Sequence, residues 1–143
     1  MKLLLDTCII TELRHPKCDF SIKTTLTPFD DEDLFISVLT IGEIAKGIFL
    51  LPESRKKYEL TTWLNGLEQK FADRILQIDR DVAFLWGELT ARAKTDGITV
   101  PPSDGLIAAT ALHYGLHVMT KNVKHFNGTG AFMMTFESAP LPH

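Results

Sequence analysis

Short apolar runs alternate along this chain with longer stretches whose apolar residues recur every three or four positions. Residues 2–6, around Leu3-Leu4-Leu5, and 34–37, Leu34-Phe35-Ile36-Ser37, have the density of strands buried on both faces. Residues 74–78, 116–120 and 131–136 read the same way, the middle one just after a Gly115 stop. Helical spacing appears in Leu60, Trp63, Leu64, Leu67 and Phe71 within 53–71, and again in Val82, Leu85, Trp86, Leu89 and Ala93 behind an Asp79 cap. A short helix is expected over 7–13 and another from Thr40 to about Leu51, closed by Pro52. An alanine-rich helix should start near Ser103, after Gly97 and the pair Pro101-Pro102. Residues 14–33 carry Pro16, Pro28 and the run Asp30-Asp31-Glu32-Asp33, which predicts mostly loop with one or two helical turns.

Strands alternating with helices predict an α/β fold, a central parallel sheet sandwiched between two helical layers. A length of 143 residues fits one domain spanning 1–143 and suffices for a substantial core. Ligands of such sheets bind beyond the carboxyl ends of the strands. Three carboxylates fall at such places. Asp6 closes the first strand, Glu43 lies early in the helix after the second, and Asp104 lies in the first turn of the alanine-rich helix. Acids gathered at one edge would hold a hard divalent cation, a common device for hydrolysing phosphodiesters. Each acid also has a purely structural account. Thr40-Ile41-Gly42-Glu43 fits a capping box, Asp6 could cap the helix at Thr7, and Asp104 could complement a helix dipole.

Charge and cysteine content narrow the classes. A net charge of -3 argues against a broad basic surface that grips nucleic acid by charge alone, though bound cations would offset the acids. Cys8 and Cys18 lack CxxC spacing, so neither a zinc site nor a disulfide framework is indicated. Asp6 ends the opening apolar run too early for a secretion signal, and no stretch approaches the roughly 20 apolar residues of a membrane span. A cytoplasmic protein is expected. No Ser-His-Asp or Cys-His arrangement and no glycine-rich phosphate loop competes with the acids. Asp6-Thr7-Cys8 lacks the second aspartate of an aspartyl phosphatase, and the paired acids of a phospho-acceptor receiver are missing.

Four segments together carry a resemblance. Leu5-Asp6-Thr7-Cys8-Ile9-Ile10-Thr11-Glu12-Leu13, Ser37-Val38-Leu39-Thr40-Ile41-Gly42-Glu43-Ile44-Ala45-Lys46-Gly47, Pro102-Ser103-Asp104-Gly105-Leu106-Ile107-Ala108-Ala109-Thr110-Ala111 and Met119-Thr120-Lys121-Asn122-Val123-Lys124-His125-Phe126 occur in the order of PIN-domain motifs. They resemble the bacterial toxin branch called VapC and its FitB-like relatives. The resemblance implies a toxin-type endoribonuclease using Mg²⁺ or Mn²⁺, with Asp6, Glu43 and Asp104 as catalytic metal-holding acids and Thr7 and Asn122 as supporting polar residues. It also implies inhibition by a cognate antitoxin protein and homodimerisation. Water attacking in line would leave 5′-phosphate and 3′-hydroxyl ends.

At His125 relatives usually carry an acid. This histidine is read as an exposed loop residue, as a neutral nitrogen ligand better suited to Mn²⁺ than Mg²⁺, or as a change that weakens a second metal position. Metal binding weaker than usual but present is expected. Arg14, Lys46, Lys121 and Lys124 are the candidate RNA-backbone contacts, and Arg55-Lys56-Lys57 reads as the polar face of a helix. The run Ile48-Phe49-Leu50-Leu51 is wider than one helix stripe, so it fits either this chain's own core or another chain. The alternative to an active nuclease is a catalytically weakened or inactive PIN-like module that binds RNA or a protein partner.

Overall fold

The structure, a computed structural model, describes residues 1–136. Five parallel strands form one sheet: β1 (Leu3–Leu5), β2 (Leu34–Ser37), β3 (Ile75–Leu76), β4 (His117–Met119) and β5 (Met133–Met134), in the order β3-β2-β1-β4-β5. Six helices cover it: α1 (Thr7–Arg14), α2 (Phe20–Leu26), α3 (Val38–Phe49), α4 (Arg55–Lys70), α5 (Arg80–Thr95) and α6 (Pro102–Tyr114). The pleat of β1 divides the core. Leu3 and Leu5 face the side packed by Ile9, Ile22, Ile44, Ile48 and Phe71, while Leu4 faces Val82, Leu89, Ile107 and Ala108. Helices α1 to α4 therefore lie on one face and α5 and α6 on the other, the three-layer arrangement that the sequence pattern predicts. None of the described helices is long and apolar enough to cross a membrane.

Helix starts follow local chemistry. Asp6, Asp19, Ser37, Ser54 and Asp79 each accept a backbone N–H of the first turn, and Pro102 opens α6 where its missing N–H costs nothing. Gly115, at φ +70, ends α6 in the left-handed region.

Three expectations need correcting. Helix α3 starts at Val38 and is capped by Ser37, whose Oγ accepts from Leu39 N at 3.0 Å, so Thr40 and Glu43 form no capping box. Glu43 consequently lies in the second turn of α3 rather than the first. The edge strands are also shorter than the apolar runs predicted, at Ile75–Leu76 and Met133–Met134. The run at the end of α3 is split: Ile48 is buried, whereas Phe49 and Leu50 are each 76% exposed.

Strand order fixes where a site can lie. The chain steps from β1 outward to β2 and β3, then returns to place β4 on the other side of β1. The switch point is thus the crevice between β1 and β4, where ligands of open α/β sheets bind. Asp6 N donates to Met119 O at 3.0 Å across this crevice, so the residues just past each strand end emerge side by side.

Candidate active site

Asp6 is buried, and both of its carboxylate oxygens are engaged. Oδ1 accepts from Thr7 N at 2.9 Å, and Oδ2 accepts from Thr120 Oγ1 at 2.8 Å and from Cys8 Sγ at 3.7 Å. Thr120, just past β4, is fully buried, and its oxygen in turn accepts Asn122 N at 3.0 Å. The Cys8 sulfur accepts Lys121 N at 3.3 Å. Burial pushes the Cys8 thiol up, helped by neighbouring Asp6, so it stays protonated and acts as a donor. Donors from two strand exits thus fix one carboxylate. Asp6 is at once the helix cap expected of it and the anchor of a larger cluster.

Glu43 reaches the same edge from α3. Thr7 Oγ1 lies 2.8 Å from Glu43 Oε1 and 3.0 Å from the hydroxyl of buried Thr40. Thr7 has one proton to give, and the carboxylate is the stronger acceptor, so Thr40 supplies the proton of the second contact. Thr7 therefore joins two acids, through its backbone N–H to Asp6 and through its hydroxyl to Glu43.

Asp104 enters from α6 with a different environment. Its Oδ2 is 3.2 Å from Nδ1 of His125, which sits on the 3-10 turn Val123–Phe126. Burial raises the Asp104 pKa above the usual carboxylate range, and the charges of Asp6 and Glu43 push it further, against a smaller opposing effect of His125. Asp104 thus feels the charges of both Asp6 and Glu43 from its place on α6. Among the described residues, however, no group of three or more His, Cys, Asp or Glu side chains is placed to hold a metal ion. Mg²⁺ keeps several of its waters and needs one or two carboxylates, so an open set of hard oxygens carrying excess negative charge fits such an ion.

The remaining candidates are placed as follows. Asn122 enters the cluster through its backbone N–H. Lys121 Nζ pairs with Glu12 Oε2 at 3.3 Å, and Glu12 also accepts Asp19 N; these two contacts hold its carboxyl below the usual range. Arg14 lies over the Trp63 ring, 5.7 Å from its centroid. Lys46 and Lys124 are exposed and have no ion pair among the described residues. Arg55 is exposed and pairs with Glu59, as expected of a polar face, whereas the Lys57 side chain lies largely covered toward Ile48 and Phe49 of α3 and reaches out to Glu53 at 2.8 Å.

Sequence reasoning missed Thr120 and Cys8 as parts of the site. Both had been quoted within motifs, but their role rests on contacts spanning more than a hundred residues of chain. Two grooves lie beside α1 and α4, and one of them reaches the site. The first, about 390 Å³, is lined by Ile10, Leu13, Trp63, Leu67 and Phe71. The other, about 480 Å³, runs from Ile48, Leu51 and Leu60 to Thr7 and Glu43, and Arg14 lines both.

With this geometry in view, comparison with known proteins is decisive. A PIN domain model matches residues 3–129. The chain belongs to the PIN domain family. It is 34% identical to Toxin FitB of Neisseria gonorrhoeae over 87% of this chain and 90% of that protein. It is 31% identical to VapC ribonuclease Y4jK of Sinorhizobium fredii over 90% and 92% respectively. The solved structure of FitAcB from Neisseria gonorrhoeae superposes with a TM-score of 0.87 at 32% identity, covering 93% of this PIN chain and 96% of that one.

Proposed function

We propose that this PIN chain is a toxin-type endoribonuclease that hydrolyses RNA phosphodiester bonds with Mg²⁺ or Mn²⁺ and is held in check by a cognate antitoxin in the cytoplasm. The observation that carries the reading is the contact of Thr7 with both Asp6 and Glu43, at 2.9 and 2.8 Å, beside an Asp104 whose pKa is raised by burial and by the charges of those two acids. Relatives named as a toxin and a ribonuclease, similar over nearly the full chain, support the same conclusion.

The cation would be held by Asp6 and Asp104, with Glu43 directly or through water. When bound, it neutralises charge developing on the scissile phosphate and makes a water more acidic. The chain's own residues prepare that site. Thr120 and the Thr7 N–H keep Asp6 oriented. Thr7 orients Glu43, whose carboxylate can take a proton from an attacking water. His125 orients the Asp104 carboxylate through Nδ1, 3.2 Å from Oδ2. Lys46 and Lys124, free of ion pairs among the described residues, are the stronger RNA-backbone contacts; Arg14 and Lys121 must first leave Trp63 and Glu12.

An antitoxin segment seated in the groove from Leu60 to Glu43 would reach the acids, and an arginine on it would compete with the cation through charge-assisted bonds. Exposed Phe49 and Leu50 offer a surface for the homodimer that the resemblance implies.

Cleavage of a single-stranded RNA by purified protein, with Mn²⁺ and with a chelator, tests the proposal beside Asp6→Asn and Asp104→Asn. Metal-dependent products with 5′-phosphate ends, lost in both variants, are expected. Ends bearing 2′,3′-cyclic phosphate, or cleavage that survives chelation, would reject it. The His125 contact favours one rival, a module that binds without cutting. An inert wild type that gains cleavage as His125→Asp would assign the chain to that class.

A further inference from the structure

Gly105 follows Asp104 in α6, and its bare Cα lets α5 lie directly against the first turn of that helix. A methyl group there would come 2.9 Å from Trp86 Nε1 and 3.0 Å from Trp86 Cδ1, with Val100 Cγ1 at 3.3 Å. Non-bonded carbons settle at about 3.5–4.0 Å, so either the indole or the helix would have to move. The half-buried indole packs against the core formed by Val82, Leu89 and Ile107, and among the described residues its N–H is buried without an acceptor. A buried donor left unpaired costs free energy, so this ring is held by shape and not by a hydrogen bond.

We infer that Trp86 and Gly105 form a positioning contact that sets how deep the first turn of α6 sits and, through it, where Asp104 stands relative to Asp6 and Glu43. Trp86 is thereby a positioning residue for divalent-cation binding. The inference rests on the reading of the three acids as cation ligands. A second glycine beside an acid provides the internal control. Gly42 precedes Glu43, and a methyl group there would meet nothing within 4 Å. The two glycines share a place next to a site carboxylate and differ in what lies behind them.

Titration calorimetry with Mn²⁺ on the whole metal-free chain, with circular dichroism to follow folding, tests this. Gly105→Ala should weaken Mn²⁺ binding about tenfold, the scale seen when an outer contact of a metal ligand is disturbed. Gly42→Ala should bind within about twofold of wild type, since its methyl stays in open space. A smaller ring relieves the collision, so Gly105→Ala combined with Trp86→Phe should return to within about threefold of wild type. A purely structural defect would lower the melting temperature of Gly105→Ala without changing its Mn²⁺ affinity, and that result overturns the inference. So does a double variant that fails to regain affinity, folded or not. Wild-type protein that takes up no Mn²⁺ overturns the acid-site reading as well, which separates that failure from failure of the contact alone.

Discussion

Asp6 and Asp104 arrive at one edge of the sheet under contrasting conditions. Asp6 follows β1 and is wrapped by donors from Thr7, Thr120 and Cys8. Asp104 has His125 as its polar side-chain partner among the described residues and is repelled by Asp6 and Glu43. One carboxylate is fixed before any ligand comes, and the other is left short of positive charge. The difference teaches that rigidity and affinity come from separate parts of the site. Hydrogen bonds at the strand exits set a reference point, and on the proposed reading the unrelieved charge on α6 would attract a cation.

The most damaging change should be Asp6→Asn, which removes the fixed point of the cluster. RNA cleavage is expected to fall by about a thousandfold or more, measured at saturating Mn²⁺. Thr120→Val keeps the shape and removes the donor to Asp6 Oδ2. Mn²⁺ affinity in a titration should drop about 10- to 100-fold, and an unchanged value would remove Thr120 from the site. His125→Asp adds a fourth acid beside Asp104 and should tighten Mn²⁺ about tenfold while lowering the melting temperature of the metal-free protein.

The smallest expected effect is the most discriminating one. Asp104→Asn removes a carboxylate that its neighbours repel, so metal-free protein should melt about 1–3 °C higher even as cleavage is lost. Asp6→Asn should do the reverse in a melt, because its amide cannot satisfy the same donors. Equal melting shifts in the two variants would erase the contrast between the acids.

Much of this arrangement is legible in the chain where its causes are local. Asp79 caps α5 as its position before Val82 and Leu89 predicts, since the cap and the buried stripe are both short-range features. Asp6 and Glu43 share the Thr7 contact because each follows the exit of a parallel strand, and parallel topology turns those ends the same way. The start of α3 departs from the expected Thr40 for a physical reason. Ser37 ends β2 and caps α3 with no loop between, while the Thr40 hydroxyl turns away from its own backbone toward Thr7, 33 residues earlier. No local pattern encodes that choice. The same holds for Thr120 on Asp6 and for Trp86 against Gly105, where the partners come from elements that meet only in the folded chain. Residues 14–33 did contain the two helical turns allowed for, in α2, capped by Asp19.

Calorimetric titration of Mn²⁺ into metal-free wild-type protein, run beside Asp104→Asn, tests most directly whether the gathered acids hold a divalent ion. The account predicts saturable heat by millimolar Mn²⁺ for the wild type and little or none for the variant. No heat from the wild type at that concentration, or identical isotherms for the two proteins, would contradict it.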